Sequence, residues 1–175
     1  AYTLLPEYTD KAKVSCEMKP TDWKKMNPSN KNTDKMSKEV KILRLWVNHG
    51  QAPVNDVYGY AVYTGKGTPQ SVLPFEVMRN DIGVQAIRTK DKSIVQAVFY
   101  PGDAELKYKD LTLSVSAPCA VMIQKLGGKY RISVTDATMN ADLKSIIVTL
   151  NGKTYELSLP TGMHCGNTVT QDFDI

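Results

Sequence analysis

The 175-residue chain is short of the side chains that most chemistry needs. It has two histidines, His49 and His164, and three cysteines, Cys16, Cys119 and Cys165. No His-x-His, His-Glu-x-x-His or Cys-x-x-Cys spacing occurs, which excludes the common zinc signatures. No acidic loop has EF-hand spacing. Gly65-Lys66-Gly67-Thr68 lacks the rest of a phosphate-binding loop and reads as a turn. An odd cysteine count leaves at least one thiol free in a monomer. One disulfide could join two of the three, and the spacing does not choose the pair. No apolar run approaches the roughly 20 residues of a membrane-spanning helix. No basic-then-apolar leader opens the chain at Ala1. A mature N-terminus and the cut edge of a longer protein would both begin this way. Apolar residues at sustained helical spacing are also missing.

What is present is a series of short β-prone runs. These are Val40–Val47, Val57–Tyr63, Ile82–Arg88, Ser93–Tyr100, Leu111–Ser116, Ala120–Leu126, Lys129–Thr135, Ser145–Leu150 and Thr154–Leu159, most of which fit a period of two better than a helical one. Asn151-Gly152 lies between the last two runs and predicts a type I′ hairpin. Gly127-Gly128 predicts a second tight turn. Many short strands broken by such turns indicate an all-β, antiparallel β-sandwich architecture. The polar stretch Lys19–Lys38, with Pro20 and Pro28, reads as a long loop, either an insertion or a functional one. A boundary is expected within residues 65–81, where Gly65, Gly67, Pro69 and Pro74 cluster.

The net charge of +4 is concentrated in residues 1–45, which hold ten Lys/Arg against six Asp/Glu. Such a segment can steer a polyanion; a solvated lysine-rich loop is the plainer reading. His49, in Asn48-His49-Gly50, is expected to close a strand with its ring nitrogens bonded to backbone. His164 and Cys165 are adjacent, so on an extended segment they point to opposite faces and share no proton. Asp103 and Glu105 could share a cation but read as turn residues. Among the nine tyrosines, Tyr58 and Tyr60 fall on one face of a predicted strand and Tyr63 on the other. Aromatic faces of this kind stack on sugar rings, although tyrosine is also simply favoured in strands.

Leu45-Trp46-Val47-Asn48-His49-Gly50-Gln51-Ala52-Pro53, followed by Val57-Tyr58-Gly59-Tyr60-Ala61-Val62-Tyr63, resembles a segment of the polysaccharide lyases that cleave chondroitin, hyaluronate or xanthan, family eight. Trp23-Lys24-Lys25-Met26-Asn27 upstream is similar to the family's Trp-x-x-Ile-Asn element. Val84-Gln85-Ala86-Ile87-Arg88, Ala117-Pro118-Cys119-Ala120-Val121-Met122 and Val134-Thr135-Asp136-Ala137-Thr138 resemble its terminal domain. Within the family the Val-Asn-His-Gly-Gln-x-Pro wording is most similar to the broad-specificity chondroitin ABC-type lyases.

The resemblance implies a layout of helical toroid, large sandwich and small sandwich. Residues 1–73 would be the closing strands of the large sandwich and 74–175 the small C-terminal one. It implies β-elimination in the parent enzyme, in which a tyrosine takes the C5 proton of a uronic acid while other groups neutralise its carboxylate. None of the family's catalytic motifs is matched here, so no catalytic residue carries over, and no metal or cofactor is implied. The chain is then expected to be a non-catalytic region supporting the cleft of a secreted or periplasmic bacterial enzyme. Its partners would be the upstream domains and, through the parent, an acidic polysaccharide, with no nucleic acid. The alternative is an independent carbohydrate-binding module using Trp23, Tyr58 and Tyr60. A third class, an adhesion sandwich, would be marked by a contiguous exposed apolar patch.

Overall fold

A computed structural model of the chain describes residues 2–22, 27–29, 38–66 and 72–175. The expected all-β class holds, with every sheet antiparallel. Two compact units divide between Thr64 and Gly65. All three cysteines are free.

The first unit contains β1 (Tyr2–Leu4), a 3-10 helix at Pro6–Lys11, β2 (Ala12–Thr21), β3 (Lys38–Val47) and β4 (Tyr60–Val62). β1 pairs with β4, and β2 pairs with β3 over its full length, from Ala12 opposite Val47 to Thr21 opposite Lys38. The loop expected from Lys19 therefore starts later, because β2 persists to Thr21. The expected strand at Val57–Tyr63 shrinks to three residues, since β4 has only the short β1 as a partner.

Alternation along β2 and β3 sorts their side chains onto two unlike faces. Ala12, Val14, Cys16 and Met18 share one face with Leu43, Leu45 and Val47. Lys13, Ser15, Glu17 and Lys19 share the other with Val40, Ile42, Arg44 and Trp46. The first face is apolar and yet bare: Val14 is 67% exposed and Leu43 70%.

The second unit is a two-layer sandwich. It comprises β5 (Phe75–Asn80), β6 (Val84–Thr89), β7 (Ile94–Phe99), β8 (Glu105–Tyr108), β9 (Leu111–Val115), β10 (Cys119–Leu126), β11 (Lys129–Thr135), β12 (Ser145–Leu150), β13 (Lys153–Ser158) and β14 (Val169–Asp174). One sheet has the order β14-β11-β10-β7-β6-β5 and the other β13-β12-β9-β8. Strict alternation explains the layering. In β7 the residues Val95, Ala97 and Phe99 are buried while Gln96 and Val98 are exposed. Val84, Ile132 and Val134 from the first sheet meet Leu106, Leu113, Ile146 and Val148 from the second, and all are fully buried.

Asn151 and Gly152 both have positive φ, 48° and 84°, as a type I′ turn demands. The Asn151 side chain also accepts from the Thr112 amide at 2.7 Å, tying the turn to the start of β9. A clasp of charges joins the two sheets. The Arg88 side chain, only 3% exposed, donates to Glu76 on β5 at 2.7 and 3.0 Å and to Asp110, in the β8–β9 turn, at 2.7 Å. Lys109 and Lys92 take the remaining oxygens of those two carboxylates, at 2.7 and 3.0 Å.

Candidate functional site

Tyr58 and Tyr60, singled out in the sequence, lie in the first unit, near the point where β3 runs out at Val47. The Asn48 amide adds one more rung to the ladder, donating to Lys11 O at 2.8 Å. Its side chain then accepts from Gly50 N at 3.0 Å, an Asx turn that reverses the chain. The returning loop brings Asp56 back to the start of β2. Its carboxylate receives Lys11 Nζ at 2.8 and 2.9 Å, the Val57 amide at 3.0 Å and His49 Nδ1 at 2.7 Å. The Lys11 bond, followed by the His49 bond, holds the Asp56 carboxyl down at about 2. An ionised carboxylate only accepts, so in this contact His49 Nδ1 is the donor. This corrects the expectation for His49: the Nδ1 partner is a carboxylate across the loop and not backbone.

The fixed imidazole stands edge-on to Tyr58, with ring centroids 5.9 Å apart and planes at 64°. Tyr58 lies outside β4 but still stacks on Tyr60, at 6.1 Å and 6°. Tyr60 in turn meets Tyr2 of β1 at 5.9 Å. Gly59 makes this possible, since a Cβ there would fall on Leu5 Cδ1. Leu5 and Tyr8, both buried, pack beneath, and the Leu5 amide bonds Gly59 O at 3.1 Å. The result is a shelf of three half-exposed tyrosines ending in an oriented imidazole. It forms one wall of an open groove of about 530 Å³, whose other wall includes Leu43, Leu45, Trp46 and Val47.

The sequence thus placed Tyr58 and Tyr60 together, and the structure brings Tyr2, His49 and Asp56 to them. Trp23 lies outside the described residues. Lys11 and Asp56 were not singled out; they are 45 positions apart, and no spacing rule connects them. His164 sits in a separate 3-10 helix, Gly162–His164, with its Nδ1 3.4 Å from the Asn167 amide nitrogen. Glu105 pairs with Lys107 at 2.7 Å. Among the described residues no three His, Cys, Asp or Glu side chains gather as a metal site. The shelf has stacking surface beside an oriented imidazole, which suits binding a planar or sugar-like ligand.

Residues 76–145 match the family described as "Polysaccharide lyase family 8, C-terminal beta-sandwich domain". This chain carries the C-terminal β-sandwich domain of polysaccharide lyase family 8. Chondroitinase-AC of Pedobacter heparinus is 30% identical over 128 residues, which are 70% of this chain and 18% of the relative. A chondroitinase AC lyase solved as oligosaccharide complexes superposes with a TM-score of 0.75 at 26% identity, over 91% of this chain and 24% of that one. A Paenibacillus xanthan lyase shares the fold, with a TM-score of 0.65 at 20% identity, over 80% of this chain and 14% of that one. The chain therefore spans less than a quarter of the length of each of these proteins. No helix among the described residues is long and apolar enough to cross a membrane.

Proposed function

We propose that this chain is the non-catalytic C-terminal region of a secreted bacterial lyase that degrades an acidic glycosaminoglycan, chondroitin sulfate foremost, by β-elimination. Residues 1–73 are the closing strands of a larger sandwich, and 74–175 are a small terminal sandwich. The role of both is to hold the substrate cleft of upstream domains in shape. The observation that carries this reading is the bare apolar face of β2–β3. A two-stranded ribbon is marginal by itself and needs a packed face to be stable. Here that face offers Val14, Met18, Leu43 and Leu45 to solvent, which is the pattern of an inner sandwich layer whose opposite sheet belongs to another segment. Upstream strands of the same protein are the occupant we assign to it, given how small a part of its relatives the chain covers. The same patch could mark an adhesion protein, but the relatives are lyases.

The test is ultraviolet detection of unsaturated uronate with chondroitin sulfate, hyaluronate and xanthan as substrates. The 175-residue chain alone is expected to be inactive. The full-length parent is expected to be active, and to lose stability and activity together when Leu43 and Leu45 are changed to Asp. Turnover by the isolated chain would overturn the non-catalytic role. The order of substrate preference in the parent decides between ABC-type and AC-type specificity.

The tyrosine shelf favours a second reading, an independent carbohydrate-binding module that uses Tyr58 and Tyr60 together with Trp23. Calorimetry of the chain against chondroitin sulfate, hyaluronate and a neutral glycan separates the two. Binding lost in Tyr58→Ala and Tyr60→Ala supports the module; unchanged binding in both variants removes the shelf from it.

A further inference from the structure

We infer that the polar face of the β2–β3 ribbon carries a platform for an acidic sugar, formed by Trp46, Lys13 and Arg44. This rests on the reading above only for its ligand class, an acidic polysaccharide. The placement comes from the register. Lys13 is the direct cross-strand partner of Trp46, and Arg44 lies two residues before Trp46 on the same face. Direct partners in an antiparallel pair have Cβ atoms about 5 Å apart, and same-face neighbours along a strand are about 7 Å apart. All three side chains therefore fall within the footprint of one or two pyranose rings.

This face is the one that stays open if the apolar face is covered, and Trp46 is the large exposed aromatic on it. It is 45% exposed beside Lys13, Ser15 and Arg44, while Val40 and Ile42 on the same face are half-buried, and it also reaches the groove lined by Leu43, Leu45 and the tyrosine shelf. The two cations beside it are also uncommitted. Lys11 is held by Asp56 and Lys19 by Glu17, at 2.8 and 3.3 Å. Lys13 and Arg44 are exposed, and neither makes a salt bridge among the described residues. Arg44 acts on Glu17 only through longer-range attraction.

An open indole with unpaired cations on both sides matches a sugar that has a C–H face and a carboxylate or sulfate on its rim. Stacking would hold the ring, and Lys13 and Arg44 would take the anion. Arg supplies a bidentate fork for such an oxyanion and Lys a point charge. A neutral glycan would gain the stacking alone. A single-stranded nucleic acid normally needs a succession of stacking aromatics along a basic groove, and only one is present on this face.

The experiment is calorimetric titration of the 175-residue chain with chondroitin sulfate oligosaccharides, cello-oligosaccharides and a single-stranded DNA oligonucleotide. Trp46 emission, read in a Trp23→Phe background, is followed in parallel. The acidic oligosaccharide is expected to bind best and to perturb Trp46 emission. Trp46→Ala should weaken binding about tenfold, the scale of an interface anchor. Lys13→Glu with Arg44→Glu should weaken it about as much and flatten its salt dependence, since exposed charges are screened within a Debye length of about 8 Å at physiological ionic strength. All three side chains are exposed, so circular dichroism should show the fold unchanged in the variants. Equal affinity in wild type and platform variants would overturn the platform while leaving the lyase reading untouched. So would a loss confined to Tyr58→Ala and Tyr60→Ala, tighter binding to DNA, equal binding to the neutral glycan, or no binding by the wild-type chain. The lyase reading stands or falls separately, on the activity of the parent enzyme.

Discussion

Replacing Arg88 with Met tests whether the charge clasp or the apolar core joins the two sheets of the terminal sandwich. The guanidinium makes three short hydrogen bonds to two carboxylates and lies 5.6 Å from the Tyr108 ring centroid. Hydrogen bonds to charged groups each contribute about 1.5–3 kcal/mol net when lost singly. The full sum does not apply here, for two reasons. Methionine keeps the aliphatic stem packed, and neither carboxylate is orphaned, because Lys109 remains on Glu76 and Lys92 on Asp110. Both acids also reach water, with Glu76 26% and Asp110 54% exposed. The expected loss is therefore about 2–3 kcal/mol, below the 3–5 kcal/mol typical of a buried pair broken on one side. For a unit of this size that lowers the melting temperature by roughly 10–20 °C. Circular dichroism melts and urea titrations at neutral pH measure it. Both tryptophans, Trp23 and Trp46, precede the second unit, so tryptophan emission should hold its wild-type transition if the units melt separately. A melting temperature within about 2 °C of wild type would refute the reasoning and leave the clasp as surface decoration.

Other outcomes follow from the same geometry. The Asp56 and Glu76 carboxyls are held at about 2, against ordinary values of 3.8 and 4.5, chiefly by the Lys11 and Lys109 bonds respectively. Their contribution to stability is complete above the ordinary values and lost as pH falls from about 4.5 towards 2, which acid melts of wild type, Asp56→Asn and Glu76→Gln should show as a flattened acid limb in the variants. Burial pushes the Cys119 thiol up to about 12, whereas Cys16 is exposed. A thiol reagent at pH 8 should label Cys16 quickly and Cys119 only on unfolding. Leu43→Glu in the isolated chain should reduce binding of an apolar dye and self-association, measured by fluorescence and sedimentation, without moving the melting of the second unit.

The strands that were legible are those with clean alternation and apolar partners on both sides, such as β7, β10, β11 and β12. Those that were missed have physical reasons. β5 carries a register shift between Val77 and Arg79 that breaks its period. β8 has four residues, and β14 is a polar strand at the edge of its sheet, Val-Thr-Gln-Asp-Phe-Asp. β2 does alternate, Ala-Lys-Val-Ser-Cys-Glu-Met-Lys, but its interleaved lysines left it without a strand reading, and its last residues, with Pro20, fell within the expected loop. At the candidate site, spacing revealed Tyr58 and Tyr60 because two residues on one face is a local fact. The Lys11–Asp56–His49 linkage is tertiary, made by a loop whose conformation depends on positive φ at Gly50, Ala52 and Asn55. The resemblance supplied the family, which composition and periodicity could not.

The position of β14 also governs how the terminal sandwich can assemble in time. Its partner β11 lies some forty residues earlier, with Lys129 opposite Asp174 and Val134 opposite Val169. Phe173 of β14 caps Tyr155 of β13 at a centroid distance of 4.9 Å, so the strand also closes the gap beside the second sheet. Loops must be closed over that separation before the pairing returns any energy, which slows folding. During synthesis from the N-terminus, the edge of β11 and the ring of Tyr155 wait uncovered until the last strand emerges. A chain stalled or clipped before β14 would expose a pairing edge and an aromatic patch together, the combination from which aggregation starts.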